Sequence, residues 1–184
     1  MKENQRVTIT KRMLQEGLLR LLKDKKLDKI RVSELCEEAG INRATFYRHY
    51  ETPHDVLVEL ERDFLRQAIP NKPPKNINEA HKMLENTCTY VYEHADIAKL
   101  LFLCNTEEDM MRIVEEFYQH FIELHRAEEN FPDIDEASIR IITAYMGGGG
   151  YNLLRKWIVE DIPKTPKEIT ELLHCMLCWV SDFS

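Results

Sequence analysis

Apolar residues recur along this chain at steps of three and four, the spacing that gathers them on one face of an α-helix. In "KRMLQEGLLRLLKDKK" the stripe is Met13, Leu14, Gly17, Leu18, Leu21 and Leu22. Thr10 is placed to cap that helix, and the trailing lysines suit its carbonyl end. A shorter helix is predicted from Val32 to Ala39, burying Val32, Leu35, Cys36 and Ala39. It stops at Gly40, because glycine tolerates the left-handed backbone of a helix end. Asn42 can cap a third helix, Arg43 to about His49, with Ile41, Phe46 and Tyr50 turned to the core. "ETPHDV" restarts the chain with Thr52 as N-cap, Pro53 at the first helical position and Asp55 as the acidic third residue. This fourth helix carries Val56, Leu57, Leu60, Phe64 and Leu65 inward and ends before Pro70.

"PNKPPKN", with three prolines among residues 70 to 74, reads as a linker. Beyond it, helices are predicted at about 77–94, 97–103, 107–127, 134–159 and 166–182. No strand-like alternation of convincing length and no repeat interrupts them. The expected fold is all-α, with about nine helices in two domains. The smaller spans 7–67, with a helix-turn-helix at about 31–50, and the larger spans 76–184.

Composition narrows the function classes. A chain of 184 residues, 43% hydrophobic and 31% charged, can bury a full core without disulfides or metal. Its five cysteines follow no framework spacing, as expected of reduced thiols. "MKENQRVTIT" has no signal-peptide core, and no apolar run approaches a membrane span, so the cytoplasm is the expected location, with no membrane partner. There is no Gly-x-Ser-x-Gly elbow, no phosphate-cradling glycine loop before Lys-Ser/Thr and no HExxH, so neither an enzyme nor a cofactor is expected. His174, Cys175 and Cys178 form a lone HCxxC without a second ligand pair; buried structural thiols are expected rather than a metal site. His94, His120 and His125 fall among polar helix faces and call for no metal.

Charge sharpens the picture. Residues 1 to 50 hold twelve Lys+Arg against seven Asp+Glu, or +5; the other 134 residues hold thirteen against twenty-five, or −12, which sum to the net −7. A basic head on an acidic body points to a polyanionic partner for the head alone. Within it, two short helices joined by a tight glycine turn form a helix-turn-helix, whose second helix enters the DNA major groove. The segment Asn42 to Tyr50 contains no acid, as a surface pressed against phosphate requires. Arg43, Ala44, Thr45, Tyr47, Arg48 and His49 occupy its exposed or edge positions.

At these residues "VSELCEEAGINRATFYRHYETPHDVL" resembles the DNA-binding segment of the TetR/AcrR transcriptional regulators, with Ala39-Gly40, Thr45, Phe46, Tyr47, His49 and Tyr50 in register. The likeness covers about residues 7 to 67. It implies a homodimer with one helix-turn-helix per subunit and a C-terminal domain that dimerises and binds a small ligand. It also implies that Thr45 and the start of the recognition helix approach bases, that Tyr47 and His49 hold phosphates, and that Arg31 touches the backbone. Pro53 stands where the family pattern has a phosphate-binding lysine, a role His54 could take over in part. Asn42 replaces the usual serine and caps equally well.

The C-terminal stretch "MGGGGYNLLRKWIVEDIPKTPKEITELL" resembles one branch of the same family more weakly. Four glycines in a helical pattern, 147 to 150, cost about 1 kcal/mol each against alanine, so they should permit helix packing, a kink or contact with a ligand. Ile169, Leu172, Leu173, Met176, Leu177 and Val180 form a closing stripe that is either core or a subunit seam. The closing position favours the seam, with Leu172, Leu173, Met176, Leu177 and Val180 at the dimer interface. The ligand pocket is expected at Tyr90, Phe102, Met111, Phe117, Tyr118, Tyr145 and Trp157. These readings point to a dimeric repressor released from a palindromic operator in double-stranded DNA by a small molecule. An activator or co-activator of the same fold, or a protein-binding adaptor, would share the motifs.

Overall fold

A computed structural model describes residues 2–69, 72, 74–104, 119, 122–124 and 135–181. Among them every regular element is helical, and the chain divides into two compact units, Met1–Arg66 and Gln67–Ser184.

In the N-terminal unit, α1 (Lys2–Leu22) packs on α2 (Val32–Ala39), which in turn packs on α3 (Arg43–Phe46). The fourth helix, α4, runs Pro53–Ala68. Leu14, Leu18, Leu35, Phe46, Val56 and Leu57 are completely buried and form the core. Gly17 allows α1 to touch α2: a Cβ there would lie 3.1 Å from the Ala39 Cβ and 3.2 Å from its backbone nitrogen. That close approach accounts for a glycine in mid-helix.

Two sequence readings need correction here, and one element has no counterpart in them. Thr10 is not a cap but lies inside α1, which starts at Lys2 and runs through "VTIT" although Ile9 there is 54% exposed. A short 3-10 turn, Leu27–Lys29, precedes α2. The recognition helix is shorter than the 43–49 predicted, because after Phe46 the chain tightens into a turn. There the His49 and Tyr50 amides both donate to the Phe46 carbonyl, at 2.9 and 3.0 Å.

In the C-terminal unit, α5 (Ile77–Glu93) packs on α6 (Ala95–Cys104) and on the closing helix α8 (Pro166–Ser181), while α6 packs on α7 (Glu136–Val159). Asn76 and Asp135 cap α5 and α7, accepting from the Glu79 and Ser138 amides at 2.9 and 3.0 Å. The four glycines sit within the continuous helix α7. Gly147 and Gly150 are buried and Gly149 faces open space, so the run is not a single packing stripe. The helix predicted over 107–127 falls largely outside the described residues.

The closing stripe divides in two. Leu173 is 1% exposed and Ile169 is buried beside it, one turn back, whereas Leu172 and Met176 are 45% and 53% exposed. Leu173 therefore belongs to the core of its own unit rather than to a subunit seam. Residues 169 and 173, and 172 and 176, are each four apart, so each pair occupies one helix face and the two faces differ. Leu177 and Val180 have no described side chains.

Candidate nucleic-acid interface

The helix-turn-helix is assembled from local chemistry. Arg31 opens α2 in extended conformation, and its carbonyl accepts from Leu35 N at 3.0 Å. Gly40 closes the helix with φ 66°, in the left-handed region, and Ile41 N donates back to the Cys36 carbonyl at 2.9 Å. A side chain at Gly40 would be strained by that φ whatever the space around it. Asn42 then caps α3, its Oδ1 accepting from the Thr45 amide at 2.7 Å. Phe46 is buried and anchors the turn, with the Tyr47 and Tyr50 rings 5.5 and 5.9 Å from its own.

Behind the turn, a polar cluster ties three parts of the unit together. The Tyr50 hydroxyl donates to Glu59 on α4, and the same carboxylate is paired with Lys11 of α1 at 2.6 Å. Lys11 also lies 5.7 Å from the centre of the Tyr50 ring. Burial raises the Tyr50 phenol far above its usual range, with its bond to Glu59 adding to the effect. Burial acts against the Glu59 charge, but the Lys11 and Tyr50 hydrogen bonds outweigh it and hold the carboxyl below its ordinary value. One turn further along, Gln15 donates to Asp63 at 3.2 Å.

Two carboxylates of α2 are paired with cations of α1 and of the turn after it. Arg20 bonds Glu38 at 2.5 Å, and Lys25 bonds Glu34, which lowers the Glu34 carboxyl below its ordinary value. By contrast, Arg31, Arg43 and Arg48 are all exposed and join no ion pair among the described residues. Tyr47 is 60% exposed, Ala44 and His54 are exposed, and Thr45 and His49 are half-buried. Seven of the nine candidate residues lie in the segment 42–49, with Asn42 serving as its cap, while Arg31 and His54 stand at the starts of α2 and α4. The short 3-10 turn and the Glu59 cluster went unread in the sequence, the latter because its members are 39 and 48 residues apart from Tyr50 and Glu59 to Lys11.

The other candidate sites fare differently. Tyr90 stacks on His94 with ring centres 4.1 Å apart, and Phe102 is buried edge-on to Tyr151. Trp157 is buried, its indole N–H donating to the Lys164 carbonyl at 3.0 Å, and Tyr145 is 83% exposed. None of these four lines the half-open concavity of about 740 Å³ in this unit, which is walled instead by Ile122, Glu123, Glu136, Ile139, Arg140 and Thr143 among others. Tyr145 faces solvent, and Trp157 serves the junction before α8. Met111, Phe117 and Tyr118 lie outside the described residues, as do His120 and His125. Cys175 is exposed, not buried as expected, and Cys178 has no described side chain. Among the described residues no group of three or more His, Cys, Asp or Glu could hold a metal ion. No described helix is long and apolar enough to cross a membrane.

A chain whose regular elements among the described residues are all helical, and whose N-terminal unit presents a glycine-turned helix-turn-helix with exposed arginines, belongs, by architecture, with the helix-turn-helix proteins. Residues 78–177 match the C-terminal region of TetR-type transcriptional regulators, and this chain is a member of that family. It is 22% identical over 165 residues to YxbF of Bacillus subtilis (strain 168), named as an uncharacterized HTH-type transcriptional regulator. The match takes in 86% of this chain but 42% of YxbF, so the chain spans under half the length of that relative. In fold it resembles a TetR transcriptional regulator from Streptococcus agalactiae 2603V, at 20% identity with a TM-score of 0.69 over 98% of each chain. It also resembles the dihydroxyacetone kinase operon activator DhaS, at 15% identity with a TM-score of 0.63 over 94% of this chain and 96% of that one.

Proposed function

We propose that this chain is a sequence-specific DNA-binding regulator that works as a homodimer on a palindromic operator, and that a small molecule bound in the C-terminal unit releases it. The observation that carries the proposal is the contrast in the N-terminal unit: Glu38 and Glu59 are paired with Arg20 and Lys11 of α1 and Glu34 with Lys25, while Arg43 and Arg48 of the recognition turn join no ion pair among the described residues. Phosphate is the partner such a surface accepts. Arg31, Tyr47, His49 and His54 serve the backbone, and Arg43, Ala44, Thr45 and Arg48 face the bases. Asn42 holds the turn in shape.

Dimerisation supplies the second half-site. Two recognition helices must sit about 34 Å apart, or a multiple of one DNA turn, to enter successive major grooves. The exposed Leu172 and Met176 of α8 support a two-fold apolar contact. A ligand that favours another spacing lowers operator affinity, with a reciprocal coupling of about 1–3 kcal/mol. Repression is the sign proposed. The fold neighbour DhaS is named an activator, which makes the sign worth measuring directly.

The test is operator binding by the full chain across a salt series, followed by a reporter placed behind the bound site. Affinity should fall linearly on logarithmic axes as salt rises, through release of condensed counterions, and reporter output should fall when the chain is present. A salt slope near zero removes DNA as the partner; rising reporter output makes the protein an activator.

A further inference from the structure

The side chains of the recognition turn differ in how they are held. Asn42 spends its carbonyl oxygen on the cap, and Ala44 offers only a methyl group. The Tyr47 and His49 rings stand edge-on to Phe46 and Tyr50, rings of the buried core. Arg43 is exposed, and among the described residues its guanidinium makes no side-chain hydrogen bond. Arg48 is exposed and points along the turn: its Nη2 donates to Thr45 Oγ1 at 3.2 Å, and it joins no ion pair among the described residues.

That bond draws the guanidinium back along the helix towards residues 44 and 45. In a helix-turn-helix it is the leading end of the recognition helix that meets the base edges. Ala44, four residues before Arg48 and within α3, puts no polar group in competition with it and lets a base edge approach closely. The guanidinium keeps its remaining N–H groups in a planar fork, and the brace on Thr45 reduces the side-chain freedom that binding would otherwise have to remove. In the major groove, guanine presents two acceptors side by side, N7 and O6. Adenine presents an acceptor and a donor, cytosine a donor, and thymine an acceptor beside a methyl.

We propose that Arg48, braced by Thr45, reads a guanine in each half of the operator through its N7 and O6, and that Thr45 acts as the positioning residue for that contact. This rests on the DNA-binding reading above and names what part of the DNA is recognised. A phosphate would also accept two N–H bonds, but it carries no sequence information.

The experiment is selection from a random pool of DNA duplexes with the full wild-type chain, Arg48→Ala and Thr45→Val, each first shown by circular dichroism to be folded. The wild type should enrich a palindrome with one guanine fixed at the same place in each half. Arg48→Ala should lose the preference at that place alone and bind the wild-type site about 10- to 100-fold more weakly. Thr45→Val keeps the shape but loses the acceptor, so the same guanine should be enriched less strongly. If Arg48→Ala enriches the same guanine, or weakens binding to every sequence alike, the contact is not to a base and the proposal is overturned. Thr45→Val indistinguishable from wild type overturns the brace. A wild-type chain that enriches no sequence would bring down the DNA-binding reading itself, a result distinct from the failure of Arg48 alone.

Discussion

The recognition turn and the closing helix α8 each leave in solvent what a folded chain ordinarily hides or neutralises, and they do so in opposite ways. Around residues 42–50 the exposed groups include two arginines and no acid, over a core closed by Phe46 and Tyr50. On α8 and α7 the exposed groups include large apolar ones: Leu172, Met176, Ile141 and Tyr145. The first surface suits a highly charged, hydrated partner and the second a dry one. A polyanion is recognised by charge left unmatched, and a second protein surface by apolar area left uncovered. A single mutation should therefore fail differently in the two places, in affinity for DNA at one and in assembly at the other.

The largest expected effect tests the apolar side. Leu172→Glu combined with Met176→Glu should give a helical monomer that loses operator affinity by two to four orders of magnitude, about the gain a linked second half-site provides. Light scattering and operator titration read the two consequences separately. A dimer of normal affinity would place the subunit contact elsewhere. Their neighbour Leu173 should behave differently, because it is a core residue. Leu173→Ala should cost about 2–5 kcal/mol in unfolding, as should Phe46→Ala, at about 3–5, in the N-terminal unit. Calorimetry that found Leu172→Ala costlier than Leu173→Ala would reverse the assignment of the two faces.

A smaller effect probes the charged side. Arg31→Ala and Tyr47→Ala should weaken binding to all sequences about equally, and Arg31→Ala should lower the salt slope by about one. Arg43→Ala, about 1–3 kcal/mol if it meets a base, should also blur sequence preference. Selected sites unchanged for Arg43→Ala but altered for Tyr47→Ala would exchange the base-facing and phosphate-facing edges of the turn.

How far each surface was legible in advance follows from the range of the contacts that make it. Gly40, Asn42 and the acid-free run act within a few residues, so the helix-turn-helix could be read from local pattern, and α2 falls at Val32–Ala39 as predicted. The start of α1 could not, because the β-branched "VTIT" carries little helix preference of its own, yet the helix runs through it from Lys2. Nor could the Tyr50–Glu59–Lys11 cluster, whose members meet only in the fold. On α8 the step-of-three-and-four rule gathered Leu172 and Leu173 into one stripe. Adjacent residues are about 100° apart on a helix, and only the packing of α5 against α8 decides which of them is covered. The pocket expectation rested on aromatic residues at helical spacing, a pattern that core packing produces equally well. Phe102 and Trp157 are core, while Arg140 and Thr143, at the concavity, carry no local signal.

The smallest expected effect concerns a device the two units share. Thr-Pro-x-acid opens a helix in each: Thr52, Pro53 and Asp55 in α4, and Thr165, Pro166 and Glu168 in α8. In the first, the Thr52 and Glu51 amides donate to the Asp55 carboxylate at 2.8 and 2.9 Å, and the Thr52 bond is the main cause of its lowered titration. In the second, the Thr165 amide donates to Glu168 at 2.9 Å and Lys164 bonds the other oxygen at 2.6 Å. The Lys164 bond is the larger influence there, and Glu168 is drawn down from 4.5 to about 2. Both carboxyls are lower in the folded chain than in the unfolded one. Each cap therefore stabilises fully above the ordinary carboxylate range and loses its contribution as pH falls through that range towards the folded value. Carbon-detected NMR should show Glu168 ionised well below pH 4.5, and Lys164→Ala should move it back towards that value without moving Asp55, which has no lysine partner in its cap. A Glu168 that titrates at 4.5 in the wild type would mean that its cap is open in solution, and the likeness between the two helix starts would then be one of sequence alone.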